Sequence, residues 1–157
     1  MAIIRVEIDI SAPPPVCFDL ARSVDAHVES ARTTGERAVG GVTSGLLNLG
    51  DEVTWRAKHF GVTQELTSRI VAFDRPRHFR DEMVRGAFRR LVHDHHFQPV
   101  PQGTRMIDVF DFTAPMGPLG VVAERLFLTS YLRRFLEGRA HALKQLAESE
   151  AGRQFIS

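Results

Sequence analysis

Residues 118–150, PLGVVAERLFLTSYLRRFLEGRAHALKQLAESE, form the stretch whose reading decides the fold. No proline follows Pro118, and Val122, Leu126, Leu136, Ala140, Leu143 and Ala147 recur at helical spacing, with Thr129 and Arg133 interrupting the stripe. Leu128, Leu132, Phe135, Ala142 and Leu146 widen it. Val121, Phe127 and Tyr131 make the first half apolar on most sides, whereas Glu137, Arg139, Lys144, Glu148 and Glu150 mark a wet face later on. The first half is therefore expected to be the more completely enclosed. About 29 helical residues make a rod of about 43 Å, longer than a small domain is wide. A curved partner has to wrap such a rod. A coiled-coil seam is a poor alternative, because Thr129 and Arg133 fall where it needs hydrophobes.

The partner is legible upstream. Ile4, Val6, Ile8 and Ile10 alternate with Arg5, Glu7 and Asp9, the period of a half-buried strand. The run Ser11-Ala12-Pro13-Pro14-Pro15 ends it and suits a helix entry, so short helices are expected over residues 16–22 and 24–31. Strands are expected near residues 37–42 and over 52–60, 63–73, 78–85, 87–98 and 104–113. Their short connections imply antiparallel hairpins, about seven strands in all. The segment that carries the second strand and leads to the third is ERAVGGVTSGLLNLGD, residues 36–51, rich in glycine yet oily. A polar surface loop would not carry Leu46, Leu47 and Leu49, so these are expected either to pack onto the body or to cover an opening in it. No Lys-Ser/Thr follows its glycines, which excludes a phosphate cradle.

Totals narrow the class. The chain has 157 residues, 43% apolar and 25% charged, which fits one domain, residues 1–157, with a real core. A net charge of +1 gives no mandate for DNA binding, and the basic run Arg85, Arg89, Arg90 and His93 reads equally as a solvated strand face. Cys17, the lone cysteine, excludes an internal disulfide and reads as core packing. The N-terminal alternation is a strand pattern, not a signal peptide, and no stretch reaches membrane-span length, so a cytoplasmic protein is expected.

Several local features resemble a known family. They are Ile10-Ser11-Ala12-Pro13 leading into residues 16–21, then Pro76 and Phe79, Gly103-Thr104-Arg105-Met106, and Pro118-Leu119-Gly120 before the helix. With the element order, they resemble the helix-grip fold of the SRPBCC superfamily, which includes the START lipid-transfer and polyketide cyclase/dehydrase proteins. The resemblance covers essentially the whole chain. It implies an α+β protein whose curved antiparallel sheet and long C-terminal helix enclose an apolar cavity near the glycine-rich loop. It does not choose among carriers, hormone binders, cyclases and macromolecule-binding proteins.

Alternation then says which side chains face that cavity. In the last strand Thr104, Met106, Asp108, Phe110 and Phe112 share a face; in the strand before it parity does not settle between Leu91, His93, His95 and Phe97 and the opposite face of Arg90, Val92, Asp94 and His96, and the face holding Phe97 is chosen as the inner one. Val53, Trp55, Ala57 and His59 form a third inner face, and Phe79, Asp81 and Met83 a fourth. The expected ligand-binding residues are Trp55, His59, Phe79, Asp81, Met83, His93, His95, Phe97, Met106, Asp108 and Phe110, with Leu126 and Arg133 from the helix. Leu46, Leu47 and Leu49 are expected at the entrance. An oily pocket with a few polar groups is how a small-molecule site is built.

Charged groups there have to be paired, so Asp108 is expected to hydrogen-bond His93, His95 or water. Arg133 would pair with Asp81, Asp108 or an anionic ligand if inward, and snorkel if not. His93-x-His95 could reach one metal, but a third ligand from Asp108 or His59 depends on strand order. No metal and no cofactor are assigned. Three functions follow from these residues. The first is binding or transport of a hydrophobic small molecule, such as a lipid, isoprenoid or polyketide. The second is a cyclase or dehydratase using His95, Asp108 and His93 as an Asp-His general base. The third is a protein or RNA interaction module working through Arg85, Arg89 and Arg90. Nothing in the sequence fixes an oligomeric state.

Overall fold

The computed structural model describes residues 2–156, apart from the side chain of Thr33. Its strands are β1 (Ala2–Ile10), β2 (Arg37–Gly41), β3 (Glu52–His59), β4 (Val62–Asp74), β5 (His78–Arg85), β6 (Arg90–Val100) and β7 (Gly103–Thr113). They form one antiparallel sheet in the order β1-β7-β6-β5-β4-β3-β2. From β2 to β7 each strand lies beside its sequence neighbour, as short hairpin connections dictate. Only β1 joins from a distance, pairing along β7 from Ala2 opposite Phe112 to Ile10 opposite Thr104.

Two short helices carry the chain from β1 to β2 across the open side of the sheet. Helix α1 (Pro14–Ala21) starts on prolines, which lack the N–H groups that a first helical turn leaves unused. Helix α2 (Val24–Ser30) is capped by Ser23, whose hydroxyl accepts from Ala26 N at 3.2 Å. Phe18 of α1 meets Phe73, Phe79 and Phe97 edge-on at centroid distances of 5.3, 5.3 and 5.4 Å, which packs this end of the molecule solid. The β6–β7 turn crosses close to the end of β1. A Cβ at Gly103 would come within 2.3 Å of the Ile10 carbonyl oxygen, so only glycine fits.

The long C-terminal helix forms, but it is not uniform. It runs as α3 (Gly117–Ala123), a π-helical stretch (Glu124–Leu128) and α4 (Thr129–Ala147). Helix α4 packs on β1, α1 and α2 and buries Leu132, Leu136, Ala140, Leu143 and Ala147, the stripe read from the sequence. The first half corrects the expectation of fuller enclosure. Leu119, Val122, Leu126 and Phe127 are 67%, 53%, 70% and 54% exposed. The wide turn explains why: one extra residue rotates the helix phase by about 100°. The inward face upstream of Leu132 therefore falls on Glu124 and Gly120, not on Val122 and Leu126. Glu124 accepts from Ala114 N at 2.7 Å, and Gly120 lies against Pro115 so closely that a Cβ would sit 2.0 Å from its carbonyl oxygen.

Candidate functional site

Between the concave sheet and α4 lies a cavity of about 140 Å³. Trp55, Leu66, Ile70, Leu132 and Leu136 supply apolar wall, and a cluster of polar side chains lines the rest. The strand registers assemble that cluster. His93 and His95 stand two apart on β6 and so share its inner face. On β7, Asp108 is directly opposite His95, and on β5, Asp81 is directly opposite His93. Each carboxylate also reaches the diagonal imidazole. Asp108 Oδ1 lies 3.1 Å from His93 Nε2 and 3.1 Å from His95 Nδ1, while Asp81 Oδ2 lies 2.8 Å from His95 Nε2. The rings of Phe79, His95 and His93 form a column, with centroids 4.1 and 3.8 Å apart.

This arrangement assigns the protons. Burial alone would depress the His95 imidazolium, but hydrogen bonds to Asp108 and Asp81 outweigh it and push the pKa up to about 9. His93 moves the other way, because burial and then the neighbouring His95 charge keep its ring neutral. Burial would raise both carboxyls, yet Asp108 is held well below the usual range by His93 and His95, and Asp81 is held down by His95. With Nε2 of His93 donating to Asp108, its Nδ1 is the lone-pair nitrogen.

A second polar chain borders the same cavity. Arg139 Nη2 donates to His27 Nδ1, and His27 Nε2 donates to Glu36. Trp55 stacks on His27 at 3.9 Å and 21°. Burial, and then the Arg139 charge, keeps His27 neutral; burial would raise the Glu36 carboxyl, but His27 and Arg139 hold it down. Arg139 Nε is buried without a hydrogen-bond partner among the described residues. Nearer the start of α4, the Tyr131 hydroxyl and His59 Nδ1 share a hydrogen bond of 2.7 Å.

Of the expected residues, Trp55, His59, Phe79, Asp81, His93, His95 and Phe110 line this cavity, and Leu47 reaches it from the loop. Met106 and Asp108 line an adjoining void of about 30 Å³. The others lie elsewhere. Phe97 belongs to the aromatic cluster around Phe18, and Met83 lies half-buried beside Gly86, where the glycine leaves it room. Leu126 faces outward because of the π-helical phase shift. Arg133 is also outside, donating to the Arg5 carbonyl at 3.2 Å. Leu46 bridges to Ser23, and Leu49 is exposed. On the outer surface Arg90 pairs with Asp111 at 3.0 Å, while Arg85 and Arg89 are exposed.

Sequence reasoning passed over His27, Glu36 and Arg139, and it placed Arg139 on the wet face. One signal was available. Arg139 follows Leu136 by three and precedes Leu143 by four, so it borders the buried stripe.

A concave antiparallel sheet gripping a long C-terminal helix over an internal cavity defines a helix-grip protein. The family described as polyketide cyclase / dehydrase and lipid transport matches residues 1–148, and the chain belongs to that family. Solved structures agree on the fold. Protein TTHA0849 from Thermus thermophilus superposes with a TM-score of 0.76 at 18% identity, over 92% of this chain and 95% of that one. Protein CV1439 from Chromobacterium violaceum gives 0.76 at 12% identity, over 96% and 100%. Ginseng major latex-like protein 151 from Panax ginseng gives 0.70 at 16% identity, over 94% and 98%. A search of curated proteins finds no significant match. No helix among the described residues is long and apolar enough to cross a membrane.

Proposed function

We propose that the protein binds a compact hydrophobic molecule bearing one polar group, held between the sheet and α4. The observation that carries this reading is the 140 Å³ cavity, with Trp55, Leu66, Ile70 and Leu132 on its apolar wall and Asp81, His93, His95 and Arg139 on its polar side. Its size narrows the guest. An apolar cavity of about 150 Å³ takes a benzene-sized molecule. The volume favours a single-ring guest, such as a small phenol or cyclic ketone, over an extended acyl chain. Membership of a family that includes lipid transport agrees with the hydrophobic part of this assignment.

Trp55 supplies the test, because it is the only tryptophan in the chain and lies on the cavity wall. Titration with p-cresol or cyclohexanone is expected to change its fluorescence saturably, with one guest per chain. A linear, non-saturating response would exclude the assignment.

A second reading is an enzyme that dehydrates its guest. The observation favouring it is the tautomer of His93, whose Nδ1 is free to accept a proton beside the cationic His95. Turnover of a small β-hydroxyketone to the enone and water should then be lost in His93→Gln while guest affinity stays within a few-fold. Equal turnover in the variant and the parent would count against it.

A further inference from the structure

We infer that Asp81, His93 and His95 form a binding site for one divalent first-row transition-metal ion in the wall of the cavity. One ligand-capable atom from each of the three lies within 4.8 Å of the other two. Ligands about 2.1 Å from a common ion stand about 3.0–3.5 Å apart in tetrahedral or octahedral geometry, so small side-chain rotations close the set.

The orientation of the rings carries the inference further than proximity does. Asp108 Oδ1 accepts from His93 Nε2 at 3.1 Å and lies 3.1 Å from His95 Nδ1. It sits against one nitrogen of each imidazole and leaves His95 Nε2 and His93 Nδ1 as the ligating pair. A carboxylate that orients metal-binding histidines through their second nitrogen is the usual supporting arrangement around such ions. His95 Nε2 already faces the third ligand, the Asp81 carboxylate, at 2.8 Å. Neither Asp108 nor His59 is needed as the third ligand.

Two imidazoles and one carboxylate suit zinc, iron(II), cobalt or nickel, and suit calcium and magnesium poorly. Three protein ligands leave coordination positions for water or for a guest. A similar group on the outer face, His78, Asp94 and His96, lacks these features, because Arg80 already binds both oxygens of Asp94 at 2.9 and 3.1 Å.

The site does not depend on an organic guest being bound. Chelator-treated protein titrated with zinc by calorimetry is expected to bind one equivalent. Affinity should fall at least 100-fold in Asp81→Asn and His95→Gln, fall about 10- to 100-fold in Asp108→Asn, and stay unchanged in His96→Gln. Cobalt(II) added to the unmodified chain needs no variant: it should broaden NMR signals of residues 79–83 and 91–97 selectively. Absence of stoichiometric zinc binding, or broadening centred on His78 and His96, would overturn the site. A saturable Trp55 titration in the same protein would leave the proposed guest binding standing.

Discussion

His27 is held as a neutral imidazole by burial and by the Arg139 charge, with Glu36 and the more distant Asp81 opposing them. Its folded pKa is below the ordinary 6.5, so below pH 6.5 the unfolded chain takes up a proton that the folded chain refuses. Stability associated with His27 is therefore complete above that pH and is lost as pH falls toward the carboxylate range. Thermal or urea unfolding from pH 7 down to pH 5 should show this loss. His27→Gln should lessen the slope by up to about 1.4 kcal/mol per pH unit. A variant slope equal to the parent's would contradict the assignment. Gly120 gives a sharper test of packing: Gly120→Ala aims a Cβ at the Pro115 carbonyl, 2.0 Å away, and should cost about 1–3 kcal/mol in urea unfolding. The residues legible in the sequence were those governed by the two-residue period. His93, His95 and Asp108 were read inward correctly because alternation along a strand fixes the face once a single hydrophobe such as Phe97 is placed. His27, Glu36 and Arg139 meet where α4 packs against α2 and the residue before β2; helical spacing marked the side of α4 that carries Arg139, but no local period encodes its partners.

The C-terminal helix shows what periodicity can and cannot say about an element. Its second half was readable because Leu136, Ala140, Leu143 and Ala147 keep one phase and meet β1, α1 and α2. Its first half was misread because hydrophobicity was taken for burial, whereas the π-helical stretch turns those residues outward. The exposed Phe127 meets Phe60 of the β3–β4 turn at a centroid distance of 6.3 Å, so the apolar surface there is shared by two elements. A pair of truncations separates the halves. Leu143→Ala should cost about 2–5 kcal/mol, and Leu126→Ala no more than about 0.5 kcal/mol, both by denaturant unfolding. Comparable losses from the two would mean that the helix keeps a single phase.

At the scale of the whole molecule, the solid end and the open end have different causes. Phe18, Phe73, Phe79 and Phe97 fill the space under α1. Further along, Trp55, Ala57 and Ser68 on the sheet and Leu132 and Leu136 on α4 leave a space that no side chain of the described residues fills. The number and order of strands were legible from short connections, but the cavity's volume was not, because it depends on how far the sheet curves away from the helix. Filling the space is expected to abolish binding without unfolding the chain. Ala57→Phe should retain the parent's circular dichroism and lose the saturable response of Trp55 to p-cresol. The most direct test of the account is a crystal structure of the protein grown with p-cresol. It predicts one ordered ring between Trp55 and His93, beneath Leu136. A sheet and helix packed solid there, or a ring bound only on the outer surface, would contradict it.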